Sequence, residues 1–140
     1  MQLTPRASRF IRSARVAHLA TADVDGVPHV IPICFVFDGK YFYSSIDEKP
    51  KRTAPQKLKR LRNIAENPWV SLVIDRYDED WSRLGYALVF GKARILSSGA
   101  KHDKAVQLLR KKYPQYRRMA IDRRPIICIA TARVRCWGGL

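Results

Sequence analysis

VAHLATADVDGVPHVIPICFVFDGKYFYSSI, residues 16–46, alternates apolar runs with turn signals. Residues 16–22 form a short apolar strand, and Asp23-Val24-Asp25-Gly26 is a turn. VPHVIPICFVF, residues 27–37, is a second strand, and Asp38-Gly39 is a tight hairpin turn into a third, KYFYSSI. Pro28 and Pro32 withhold backbone donors, which places the second strand at an edge, a bulge or a bend. Consecutive strands joined by such short turns pair antiparallel.

Outward from this segment the pattern stays regular. Thr4-Pro5 caps a short N-terminal helix that carries Arg6, Arg9 and Arg12 on one face. Residues 47–56, with Pro50 and Pro55, read as loop. KLKRLRNIAE, residues 57–66, spaces Leu58, Leu61 and Ile64 as a helix, which Asn67-Pro68 stops. WVSLVIDRY (69–77) and LGYALVFGKARIL (84–96) are two more strands around an acidic loop, Asp78-Glu79-Asp80. A basic helix over 99–113 turns Ala105, Val106, Leu108 and Leu109 inward, and RPIICIATARVRCW (124–137) is the sixth strand. The order predicts a mainly β, α+β fold: an antiparallel barrel with flanking helices, in one domain over residues 1–140.

Composition narrows the function. The chain holds 140 residues, 46% hydrophobic and 28% charged, as a globular domain does. No apolar run reaches the roughly 20 residues of a membrane helix. The N-terminus lacks a secretory h-region, and three cysteines make no disulfide framework, so the expected compartment is the cytoplasm. Twenty-seven Lys and Arg against twelve acids give a net charge of +15, which suits an anionic partner. Seven basic residues and no acid lie within 49–62: Lys49, Lys51, Arg52, Lys57, Lys59, Arg60 and Arg62. That run ends in a helix start, so it suits a phosphate site or, equally, a solvated helix face.

Classical catalytic motifs are missing. His18, His29 and His102 are far apart, and no cysteine pair has zinc spacing, so no metal site is expected. His18 reads as a core or interface histidine, Cys34 as a buried small hydrophobe, and Cys128 and Cys136 as inert thiols. The chain has no nucleophile elbow, dinucleotide fingerprint or Walker loop. Chemistry, if any, belongs to a borrowed cofactor. A module for nucleic acid, with Tyr41, Tyr43 and Trp69 as stacking groups, is the rival class.

The order of motifs resembles the pyridoxamine 5'-phosphate oxidase-like split β-barrel superfamily, and within it the flavin/deazaflavin oxidoreductases. LAT-x-x-x-DG-x-PH-x-x-P falls at Leu19 to Pro32, and D-x-KPK at Asp47 to Lys51. The segment LKRLRNI with its closing NP falls at Leu58 to Pro68, and D-x-Y-x-x-DW-x-x-L at Asp75 to Leu84. The resemblance implies an oxidoreductase in which bound coenzyme F420 passes hydride to a small unsaturated or quinone-like acceptor. FMN is the alternative cofactor, and a flavin or haem carrier without turnover a further one. It also implies a homodimer with cofactor sites at the interface; apolar strands such as ICFVF and IICIATA are expected to supply the buried surface. Carried over, Pro32, Ile33 and Cys34 pass under the ring, and Ser45 ends the strand beside the ring and phosphoryl chain. Lys49, Lys51, Lys57, Arg60, Arg62 and Asn63 approach the phosphate, and Trp81 lies near the site. Gly85-Tyr86 replaces the tryptophan pair that relatives often carry, which bears on the substrate pocket. A groove toward Lys111 and Lys112 would extend the positive field along an anionic tail.

Overall fold

The computed structural model describes residues 2–46 and 58–140. Helix α1 spans Pro5–Ser13, followed by strands β1 (Ala17–Ala22), β2 (Pro28–Ile33), β3 (Val36–Phe37) and β4 (Tyr41–Ser45). After α2 (Lys59–Glu66) come β5 (Trp69–Arg76), β6 (Gly85–Leu96), α3 (Ala100–Lys112) and β7 (Ile126–Gly138). Single 3-10 turns lie at Trp81–Arg83, Pro114–Arg118 and Ile121–Arg123.

Local chemistry explains several boundaries. Thr4 Oγ1 accepts the Ala7 N–H at 3.1 Å and Pro5 opens α1, so the cap and the fixed φ act together. In the first hairpin Asp23 Oδ1 accepts the N–H groups of Asp25 and Val27, each at 2.9 Å. In the second, Asp38 Oδ1 accepts from Lys40 and Tyr41 at 2.9 and 2.7 Å, while Gly39 takes φ +103°.

All seven strands form one antiparallel sheet in the order β2-β1-β5-β6-β7-β4-β3. Its two edges, β2 and β3, are separated in the chain only by Cys34 and Phe35. Three Cα–Cα steps reach at most about 11 Å, so the sheet must curl until its edges nearly meet: a split barrel. The single strand expected over 27–37 is therefore two strands on opposite edges. A bulge between Phe90 and Gly91 skips Ala132 on β7 and helps β6 bend. Gly91 is needed there, since a Cβ would sit 2.5 Å from the Ala130 carbonyl oxygen and 2.8 Å from Ile129 Cγ2.

The curl creates two cores. The barrel interior takes Leu19, Phe35, Phe42, Leu72, Ile74 and Val89, with Ile11 of α1 and Leu61 and Ile64 of α2 packed into it. Outside β4 and β7, Tyr43, Ile126 and Cys128 pack against Ala105, Val106 and Leu109 of α3 and Tyr113 and Tyr116 beyond it. The apolar runs expected to be free for dimerisation are thus consumed internally: Phe35 and Ile126 to Ile129 are all buried. Among the described residues no helix covers the opposite face, on β1, β2, β5 and β6. It exposes Val30, Trp69, Leu88 and Phe90, with Tyr86 stacked on Trp137 of β7 at 5.7 Å and Trp69 on Phe90 at 5.3 Å. His18 is exposed on this same face rather than in a core, across from Pro32 and Val73.

Candidate functional site

Because the barrel edges meet at Cys34-Phe35, the ends of β2 and β4 and the start of α2 converge on one cavity of about 210 Å³. Five of the residues carried over from the sequence line it: Pro32, Ile33, Cys34, Ser45 and Arg60. Val16, Ser44 and Tyr116 complete the wall. Ser44 Oγ donates to the Cys34 carbonyl at 2.9 Å and ties β4 to the crossover. Cys34 is half-buried with its side chain on the cavity, not the enclosed hydrophobe its apolar neighbours suggested.

The electrostatics of the α2 end favour an anion. Leu58 at its N-cap carries no side-chain acceptor for the first-turn N–H groups. The first turn holds no acid but does hold Lys59 and Arg60, cations at the positive end of the helix dipole. Asp23, in the β1–β2 turn, offsets part of this through Lys59 at 3.6 Å. The arrangement is poor for an isolated helix and good for binding phosphate.

Other carried-over residues lie elsewhere. Arg62 is exposed on α2 and does not line the cavity. Asn63 is fully buried, and its Nδ2 donates to Thr21 Oγ1 at 3.0 Å, pinning α2 onto β1. Trp81 is exposed on the 3-10 turn between β5 and β6. Lys49, Lys51 and Lys57 lie outside the described residues.

The cavity wall is held by a clasp that the sequence did not announce. Phe35 N–H donates to Tyr113 Oη at 3.0 Å, and that hydroxyl lies 2.8 Å from the Arg15 carbonyl and 3.0 Å from the Phe35 carbonyl. Lys112 Nζ donates to the Phe35 carbonyl at 2.9 Å and sits 4.0 Å over the Phe35 ring. Arg15 closes the knot, donating to the Lys112 carbonyl at 2.9 Å with its guanidinium over the Tyr113 ring. Burial, with the nearby Arg15 charge, lowers the Lys112 ammonium to about 8, and burial raises the Tyr113 phenol. Lys112 is therefore a structural cation, not part of a diffuse field along α3. Among the described residues no cluster of three or more His, Cys, Asp or Glu could hold a metal ion. No helix among them is long and apolar enough to cross a membrane.

Known structures share this architecture. A conserved hypothetical protein of Mycobacterium tuberculosis superposes with a TM-score of 0.77 at 21% identity, covering 99% of this chain and 86% of that one. The haem storage protein HutZ of Vibrio cholerae gives 0.72 at 14% identity, covering 99% and 95%. A protein described as an F420 reductase gives 0.68 at 22% identity, covering 96% and 98%. No curated protein matches in sequence. The family model for pyridoxamine 5'-phosphate oxidase matches residues 3–138, nearly the whole length. With the split barrel and the order of its motifs, that match establishes that the chain belongs to the pyridoxamine 5'-phosphate oxidase family.

Proposed function

We propose that the chain is an oxidoreductase that uses bound coenzyme F420 to transfer hydride to a small unsaturated or quinone-like acceptor. The observation that carries this reading is the meeting of the β2–β3 crossover with Ser45 and Arg60 at a basic helix start whose N-cap, Leu58, has no side-chain acceptor. Those residues fit the phosphorylated end of a flavin or deazaflavin: Arg60 for charge-assisted hydrogen bonds, the α2 N–H groups for the remaining oxygens. When bound, the deazaflavin supplies the hydride. The chain's part is to orient the ring along Pro32, Ile33 and Cys34 and to exclude water.

At about 210 Å³ the cavity is smaller than the roughly 300–1,000 Å³ of ordinary ligand pockets. It suits the phosphate and adjoining chain, while a tricyclic ring extends beyond it. The exposed aromatic face of β5, β6 and β7 supports a homodimer in which a second copy covers that surface. Relatives of the same fold include a protein described as an F420 reductase, and the carrier reading has its counterpart in the haem storage protein. FMN remains the alternative ligand, since its phosphate meets the same groups.

Calorimetric titration with F420 and FMN tests the reading. Arg60→Ala should weaken the bound cofactor about ten- to a hundredfold, the loss of a charge-assisted bond of about 1.5–3 kcal/mol. The exposed Lys111 serves as the control for diffuse charge, because Lys111→Ala should act weakly and only at low salt. Equal weakening by both substitutions rejects the phosphate clamp. Tight FMN with no response to F420 moves the function to an FMN enzyme.

A further inference from the structure

A second groove, of about 600 Å³, lies between α1 and β5 and shares no lining residue with the cavity at Arg60. We propose that it binds a phosphate ester with an apolar body, the phosphate held by arginines and the body laid against Phe10. Four arginines line it: Arg6, Arg9 and Arg12 from α1, and Arg76 from the end of β5. Among the described residues none of the four forms an ion pair.

Helix α1 carries its arginines three residues apart, so each repels the next along one face, and Arg6 opposes the dipole at the first turn. Arg12 ties α1 to β3, but Arg6 and Arg9 are exposed, away from the buried Ala7 and Ile11. A convergent cationic groove of this kind is relieved by a multiply charged anion. Two of the four are already positioned. Arg76 donates to the Arg83 and Gly139 carbonyls, each at 2.7 Å, and stands 5.6 Å over the Phe10 ring. Arg12 donates to Ser8 Oγ and to the Phe37 carbonyl at 3.1 and 3.0 Å. Arg6 and Arg9 are exposed at the rim, free to close over a ligand. Guanidinium forks match phosphate oxygens. Half-buried Phe10, with Leu140 beside it, supplies apolar surface that a bare phosphate ion would not use.

The test uses phenyl phosphate and inorganic phosphate as probes, titrated into the full chain and followed by calorimetry and amide chemical shifts. Phenyl phosphate is expected to bind more tightly and to shift amides of α1 and of Arg76. Arg6→Ala with Arg9→Ala, both at exposed helix positions where alanine keeps the helix, should weaken it about ten- to a hundredfold. Phe10→Leu should erase the preference for the phenyl ester while keeping inorganic phosphate. Arg60→Ala should leave this binding unchanged, which separates the proposal from the cofactor reading. Equal loss on Lys92→Ala, an exposed cation opposite Trp69 at the far end of the β5–β6 ladder from Arg76, would show a diffuse field and overturn the proposal. Shifts confined to Ser45 and Arg60, no preference between the probes, or no saturation at millimolar ligand would overturn it as well.

Discussion

Removing one oxygen from the clasp, Tyr113→Phe, should cost stability out of proportion to its size. The ring stays, so the packing of a side chain that is 9% exposed is kept. What is lost is the acceptor for the Phe35 N–H, 3.0 Å away, on a residue with no exposure at all. A buried amide left without a partner costs about 1–3 kcal/mol. The Arg15 carbonyl, on an exposed residue, regains water, and the Phe35 carbonyl keeps Lys112, so neither adds much. The expected loss is about 2 kcal/mol, or a fall of roughly 5–10 °C in Tm for a chain of this length. Urea unfolding of the two proteins measures it. Because both side chains act on Phe35, Tyr113→Phe and Lys112→Met should also be non-additive by at least about 0.5 kcal/mol. A loss below about 0.5 kcal/mol, or strict additivity, would refute the idea that these residues act together on the crossover.

Two further outcomes follow from the geometry. Lys112 titrates at about 8 in the folded chain against an ordinary 10.5, so between those values the unfolded chain binds more protons. Wild-type stability should therefore rise relative to Lys112→Met as pH climbs from about 8 to 10; urea unfolding across that range checks it, and a flat or falling difference sinks it. Leu88 stands exposed between Tyr86 and Phe90 on the uncovered sheet face, so Leu88→Asp should convert the proposed dimer to monomer in sedimentation, with an unchanged mass counting against that face.

Features written in neighbouring residues were legible in the sequence. Thr4-Pro5 opens α1, Asp38-Gly39 turns between β3 and β4, and the prolines of β2 mark an edge strand. The break at Cys34-Phe35 was not, because those residues are as apolar as their neighbours. Its turn is held by Tyr113 and Lys112, 78 and 77 residues further along the chain. The same distance hid part of the candidate cavity. Pro32, Ile33, Cys34, Ser45 and Arg60 were reached through motif order, whereas Val16 and Tyr116 arrive only once the sheet has curled. Asn63 looked like a ligand for phosphate beside Arg62, yet the helix turn that buries Ile64 also carries it inward to Thr21.

The nearly meeting edges of the sheet bear on how the protein can associate at all. An open sheet recruits foreign strands through unpaired backbone groups. Here β3 is only two residues long, and the Phe35 and Phe37 carbonyls flanking its start and end are engaged by Lys112 and Arg12. On the other edge Pro28 and Pro32, at positions of the same parity, offer no N–H. Strand addition is disfavoured at both margins. The proposed dimer would then form through side chains on the aromatic face, and not through the open-ended backbone pairing that seeds fibres.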